Sequence, residues 1–118
     1  DLHRDALEGT DGTIYKTVAD IGDTPCAQVM LIAGTNFSGL THDNWQKNMS
    51  FALKLQSAMV EQYPTLARPL NVSQYRYNQN ATTGSLIAEI GCNGNTLQEA
   101  ITAVTYFGDC LADVLLGA

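Results

Sequence analysis

The sequence of 118 residues has few basic residues, no long apolar run and only two histidines. Six basic residues against twelve acidic ones give a net charge of 6 − 12 = −6. A surface of that sign repels phosphate backbones, which argues against nucleic acid as a partner. The longest apolar run, 29–33, is far shorter than the roughly 20 residues that a membrane-spanning helix needs. The chain also opens without a signal-peptide pattern, and its abrupt start predicts a fragment of a longer protein.

The cysteines lack the C-x-x-C spacing that is typical of zinc knuckles and redox pairs. Cys26, Cys92 and Cys110 cannot all pair within one chain, and we predict that they are buried free thiols. A catalytic zinc ion normally has three protein ligands and a water. Because the sequence has two histidines and no spaced cluster of histidine, glutamate and cysteine, its pattern alone does not define a complete zinc site.

The apolar content of 45% and charged content of 15% predict one compact domain with a buried core. Two short apolar runs, 28–33 and 85–91, have the pattern of strands buried on both faces. Weaker strand patterns occur at 1–7, 13–18 and 70–77. The order of strands and helices predicts an α/β fold in which a strand–helix–strand crossover brings both buried strands into one sheet.

Two helices are predicted from apolar periodicity. The first covers 41–63, with Thr41 or Asp43 as its N-terminal cap and Pro64 after its end. Its apolar side comprises Trp45, Met49, Ala52, Leu55, Met59 and Tyr63. The second begins at a capping-box pattern, Thr96 to Glu99. Its predicted buried side comprises Leu97, Ile101, Val104, Gly108, Leu111 and Leu115.

Glu89 is an acidic residue within the apolar run 85–91. An ionised carboxylate in a buried strand costs several kcal/mol unless it is paired, protonated or bound to a metal. Near the carboxyl end of such a strand it is a candidate general acid or base. The alternative is a structural glutamate that faces an edge or forms a salt bridge, for example with Arg76.

His3 is the second candidate, because it lies at the end of a predicted strand between two acidic residues. Asp1 or Asp5 could orient one ring nitrogen while the other binds zinc. The alternative is a solvent-exposed histidine near a terminus. His42 precedes the first helix, and we expect it to lie in the cap region.

An ordered set of motifs resembles the C-terminal part of the stage II sporulation protein P family, whose members are zinc-dependent N-acetylmuramoyl-L-alanine amidases. The resemblance covers nearly the whole chain, and its specificity lies in the order, since each motif alone is weak. The motifs are Asp-Leu-His-Arg-Asp (1–5), Asn-Trp-Gln-Lys-Asn (44–48), Phe-Ala (51–52), Tyr-Pro (63–64), Tyr-Asn-Gln (77–79), Leu-Ile-Ala-Glu-Ile-Gly (86–91), Asn-Thr (95–96) and Glu-Ala (99–100).

The resemblance implies that residues 1–118 are the C-terminal part of one amidase domain, with a mixed, mostly parallel sheet flanked by helices. Such a domain cleaves peptidoglycan between N-acetylmuramic acid and L-alanine. By position, His3 would be a Zn²⁺ ligand and Glu89 the catalytic carboxylate, while Arg4 and Asn78 would support the substrate pocket. In this family a further histidine and a glutamate ligand come from an upstream segment that this sequence lacks.

The family also implies a setting for the protein. Its members act outside the cytoplasmic membrane, are anchored by an N-terminal membrane segment absent from this sequence, and work with stage II sporulation proteins D and M during engulfment. A domain without its neighbouring strands would expose a sheet edge or a helix face, so we predict a homodimer or a swapped assembly.

Two other functions are consistent with the same fold class. One is a catalytically silent module that binds cell wall or a protein partner. The other is an unrelated α/β domain that binds a small ligand, although no G-x-G-x-x-G or Walker motif follows a predicted strand.

Overall fold

The computed structural model describes residues 1–117 and has the predicted α/β fold. The predicted elements occur in the predicted order, but a short strand at Cys26–Ala27 is additional, and of the strand predicted at 13–18 only residue 18 lies in a strand. The strands are β1 (Leu2–Asp5), β2 (Val18–Ala19), β3 (Cys26–Ala27), β4 (Val29–Gly34), β5 (Asn71–Ser73) and β6 (Ile87–Cys92), and the helices are α1 (Trp45–Gln62) and α2 (Leu97–Leu115). A single 3₁₀ turn covers Gln79–Ala81.

The main sheet has four strands in the order β1-β6-β4-β5, and β2 and β3 form a separate antiparallel pair. The outer pairs, β1 with β6 and β4 with β5, are parallel, whereas the central pair of β4 and β6 is antiparallel. The two buried strands are therefore neighbours in one sheet, as predicted. The helical crossover, however, connects β4 to the short strand β5 rather than to β6.

One face of the sheet carries the core. Leu31 of β4 and Ala88 of β6 are buried against Leu55 of α1 and Phe107 of α2, so both helices pack on this face. Side chains alternate along a strand, so the intervening residues, such as Met30 and Glu89, project to the opposite face. The sheet thus separates the apolar core from the face where the candidate glutamate lies.

Helix α1 starts at Trp45, four residues later than predicted, and its N-cap is Asn44. No side chain bonds the first turn, so the prediction of a Thr41 or Asp43 cap is wrong. The backbone N–H of Trp45 instead donates to the carbonyl of His42 over 3.2 Å. A backbone turn satisfies this donor without a side chain. The middle of the predicted apolar side is buried, as expected, at Ala52, Leu55 and Met59.

Helix α2 begins with the predicted capping box between Thr96 and Glu99. Its buried side differs from the prediction, although the predicted Val104 and Leu111 do pack, partly buried, against the core. The residues that face the core are Glu99, Ala103, Phe107 and Cys110, roughly a third of a turn from the predicted ones. Much of the predicted side is exposed at Leu97, Ile101 and Leu115. Self-association through this exposed face stays a prediction.

The three cysteines are buried free thiols, as predicted. Burial raises the pKa of Cys26 and of Cys110 above the usual thiol value, which keeps both protonated at neutral pH. Neither helix within residues 1–117 is apolar enough to cross a membrane.

Candidate functional site

The pairing of β1 with β6 brings together the two main candidates from the sequence. His3 and Glu89 are partners in the parallel register, and Met30 of β4 lies opposite Glu89 on its other side. Partnered residues of neighbouring strands project to the same face of the sheet. The imidazole and the carboxylate therefore lie side by side on the face opposite the core.

Glu89 is partly buried, and its Oε2 atom has no hydrogen-bond partner among the described residues. Burial raises the pKa of Glu89 above the usual glutamate value, and the negative charge of Asp5 raises it further. Electrostatic interactions with His3 and Arg68 act in the opposite direction. The carboxyl group is therefore poised to gain and lose a proton nearer to neutral pH than a surface glutamate.

The predicted alternative, a salt bridge between Glu89 and Arg76, does not form. Nη1 of Arg76 donates to the carbonyl of Thr41 over 2.7 Å. The nearby cation that is paired is Arg68, whose Nη1 lies 2.9 Å from Oδ2 of Asp5. Glu89 thus lies beside an ion pair without belonging to it.

His3 is about half exposed, and its Nε2 lies 2.8 Å from Oδ2 of Asp1. Of the two carboxylates predicted to orient this ring, the structure selects Asp1, since Asp5 pairs with Arg68. Nδ1 is left without a partner in the part of the chain that the structure describes. A histidine oriented at one nitrogen and open at the other has the chemistry of a metal ligand.

A cleft of about 400 Å³ lies beside His3. The loop around Asn78 also lines this cleft, so the structure brings His3 and Asn78, both predicted site residues, to one cavity. Glu89 does not line this cleft but is the strand partner of His3 at its border. The lining residues are Asp1, His3, Tyr77, Asn78, Gln79, Gly84, Ser85, Leu86 and Ile87.

Arg4 does not line this cleft. It follows His3 in β1, and its guanidinium group donates to the carbonyls of Cys92 (3.1 Å), Asn95 (2.5 Å) and Thr96 (3.2 Å). These bonds fix the turn between β6 and α2. In this structure the arginine therefore ties the edge strand to the helix start.

A buried polar network holds the cleft loop, and the sequence analysis missed it. Oε1 of Gln79 accepts from the N–H of Gly34 (2.6 Å), and its Nε2 donates to the carbonyl of Ile32 (3.0 Å). Asn48 of α1 donates to the carbonyl of Gln79 (2.7 Å) and accepts from the N–H of Ser85 (3.0 Å). The signal in the sequence is Asn48 itself, a polar residue on the apolar side of α1.

The described residues supply only part of the zinc site that the resemblance implies. No three side chains of histidine, cysteine, aspartate or glutamate within residues 1–117 are grouped closely enough to hold a metal ion. His3 and Glu89 fit a part of such a site, one imidazole ligand with a carboxylate beside it. The remaining ligands are not supplied by the described residues.

A comparison with protein-family models matches the model described as Stage II sporulation protein P (SpoIIP) over residues 1–112. The chain belongs to this family. No curated protein and no solved structure matches it. Membership in SpoIIP indicates a role in sporulation. The match covers β1, β6 and the loop at 77–79, so every candidate site residue lies within the SpoIIP region.

Proposed function

We propose that the chain is part of a zinc-dependent N-acetylmuramoyl-L-alanine amidase, which hydrolyses the amide between N-acetylmuramic acid and L-alanine in peptidoglycan. The observation that carries the proposal is the strand register of His3 with Glu89, in a chain that belongs to SpoIIP. This register supports the pairing of His3, as a metal ligand, with Glu89, as a proton-transferring carboxylate. The unpartnered Oε2 of Glu89 and the open Nδ1 of His3 agree with these roles.

Glu89 is the proton carrier in this proposal. Amide hydrolysis requires a base that takes a proton from the attacking water and then gives one to the leaving amine nitrogen. A carboxyl group whose pKa is raised by burial performs both tasks more evenly than an exposed one, because its two protonation states are closer in free energy. The negative charge of Asp5 raises the pKa of Glu89 and the positive charge of Arg68 lowers it, so both shift the balance between its protonated and ionised forms.

His3 would be one zinc ligand, oriented by Asp1. When bound, zinc polarises an amide carbonyl and lowers the pKa of water towards about 7. A catalytic zinc site needs about three protein ligands. We infer that the others come from a further segment of the protein, in line with the upstream histidine and glutamate that the resemblance implies.

The resemblance also supplies the rest of the proposal. The substrate would be peptidoglycan outside the cytoplasmic membrane, where an N-terminal anchor would hold the protein. Its partners would be stage II sporulation proteins D and M. Asn78 would contact the substrate, since it lines the same cleft as His3.

The test uses the intact protein with its upstream segment. Glu89→Gln should retain zinc and lower turnover by roughly 100-fold or more, because an amide side chain does not carry the proton. His3→Ala should lose zinc as well as turnover. Release of new amino groups from purified peptidoglycan measures turnover, and elemental analysis measures zinc.

Glu61→Gln, which makes the same change at an exposed position of α1, is the matched control and should behave as the parent. Turnover that survives Glu89→Gln would refute the catalytic role of Glu89. A parent protein that binds no zinc and hydrolyses nothing would favour the alternative of a silent wall-binding or partner-binding module.

A further inference from the structure

Tyr77 has the left-handed backbone conformation, with φ at 52°, and is the one non-glycine residue within 1–117 with a positive φ. This region is disfavoured for a residue with a bulky side chain, and it costs on the order of 1 kcal/mol or more. Glycine or asparagine would satisfy the same turn at lower cost. A tyrosine in this conformation suggests that its side chain has a role that glycine or asparagine would not fill.

Tyr77 lines the cleft and is about half exposed. Tyr75, also about half exposed, packs against it edge to face, with the ring centroids 6.4 Å apart and the planes at 67°. The pair therefore leaves aromatic surface open to solvent at the cleft. Aromatic rings open to solvent in a cavity with a few polar groups are typical of ligand-binding sites.

The loop that carries Tyr77 is held in place before any ligand arrives. Gln79, two residues later, is buried and bonds the backbone of β4 at Gly34 and Ile32. Asn48 holds the carbonyl of the same glutamine. A surface that is already ordered loses little conformational entropy on binding.

The polar residues around the ring indicate the chemistry of the ligand. Asn78, Ser85 and Asp1 line the same cleft and offer an amide, a hydroxyl and a carboxylate. A pyranose ring has an apolar C–H face that stacks on an aromatic ring, and hydroxyl and acetamido groups at its edge that bond to such polar side chains. The volume of about 400 Å³ lies within the range of small-ligand sites, about 300–1,000 Å³.

We propose that Tyr77 contacts the saccharide and that its ring stacks on a pyranose of the glycan strand, with Asn78 bonding the edge of the sugar. This inference rests on the proposed function, which places the muramic acid next to the scissile amide and therefore next to His3. The cleft joins His3 to Tyr77, so a substrate with its amide at the first residue would extend its sugar towards the second.

The experiment measures binding to the intact protein by calorimetry, with two probes: the disaccharide of N-acetylglucosamine and N-acetylmuramic acid, and the free stem peptide. Tyr77→Asn removes the ring but suits the left-handed backbone, so the fold should be kept. It should weaken disaccharide binding about 10-fold or more and leave peptide binding unchanged. Tyr77→Phe keeps the ring and should bind the disaccharide within about threefold of the parent.

Tyr15→Asn is the matched control, because Tyr15 is a similarly exposed tyrosine that does not line the cleft. It should leave both affinities unchanged. Disaccharide binding that survives Tyr77→Asn would overturn the proposal, as would a parent that binds only the peptide or neither probe. Thermal melting of each variant establishes that its fold is intact.

These probes separate this proposal from the proposed function, because neither contains the scissile amide and binding needs no turnover. In hydrolysis of peptidoglycan, Tyr77→Asn should raise KM with little change in kcat, whereas Glu89→Gln should lower kcat. A protein that binds the disaccharide through Tyr77 but never hydrolyses peptidoglycan would refute the amidase and leave the saccharide site standing.

Discussion

The buried network around Gln79 gives the sharpest prediction for stability. Gln79→Met keeps the length of the side chain and removes both of its polar atoms. The N–H of Gly34 then has no acceptor, because it donates to Oε1 of Gln79 in the native fold. The carbonyl of Ile32 loses one donor. Both groups are at the end of the central strand β4, where Gln79 is 2% exposed.

The expected cost follows from these two groups. A buried donor left without a partner costs about 1–3 kcal/mol, and the loss of one net hydrogen bond at a carbonyl costs about 0.5–1.5 kcal/mol. The sum is about 1.5–4.5 kcal/mol, a large part of the 5–15 kcal/mol that is typical of a domain. Because the 77–79 loop is attached through this residue, its release should also disorder the cleft wall.

Urea unfolding, followed by circular dichroism, measures this cost. With a slope of about 1.5 kcal/mol per molar urea, the midpoint should fall by roughly 1–3 M. Gln98→Met makes the same change at an exposed position of α2 and should shift the midpoint by less than about 0.5 M. Equal midpoints for the two variants would refute the argument that Gln79 anchors the loop.

Two further predictions concern the pH dependence of unfolding and the packing of β4. The N–H of Thr96 donates to the carboxylate of Glu99 and lowers the pKa of Glu99. The stability that Glu99 contributes is therefore present above the unfolded pKa of about 4.3 and is lost as pH falls through the folded pKa. Thermal melting should therefore show that Glu99→Gln lowers the melting temperature at pH 7 more than at pH 3, and an equal loss would contradict this. Gly34→Ala would place a methyl group 2.6 Å from the carbonyl oxygen of Tyr75 and should cost about 1–3 kcal/mol in urea unfolding, whereas Gly84→Ala, with open space around it, should cost little.

Local signals in the sequence were sufficient for most of the fold. The apolar runs 28–33 and 85–91 became β4 and β6 within two residues of the predicted bounds, because a strand buried in the centre of a sheet has to be apolar throughout. The capping box at Thr96 formed because it depends only on residues four positions apart or closer. The strand pattern at 70–77 produced only the three residues of β5, since the chain turns away into the cleft loop.

The orientation of α2 could not be predicted in the same way. Apolar residues occur on more than one side of this helix, and periodicity does not say which side the sheet covers. Phe107 and Cys110 face the core, whereas Leu97 and Ile101 stay largely or partly exposed. The choice depends on tertiary contacts with β3 and β6, which the local pattern does not contain.

Only part of the candidate site could be predicted from the sequence, and the reason is physical. A charge within an apolar strand is visible in the sequence, so Glu89 was found directly. Its strand pairing with His3 joins residues 86 positions apart, and no local signal specifies that register. Gln79 was missed because a polar residue in a loop gives no sign of being buried, and only the contacts with β4 show it.

The arrangement around Glu89 also explains why it stays unpaired beside a histidine. Two neighbouring groups of this kind would bond each other if nothing else competed for them. Here Asp1 holds Nε2 of His3, and Asp5 holds the guanidinium group of Arg68, so each of these neighbours of Glu89 already has a carboxylate partner. The carboxylate of Glu89 is left half-buried, next to His3 and Arg68 but bonded to neither, with its pKa raised. The proposed role of Glu89 as a general base requires a lone pair that is free to take a proton, and the ion pair of Asp5 with Arg68 is consistent with that role because it leaves Glu89 unpaired.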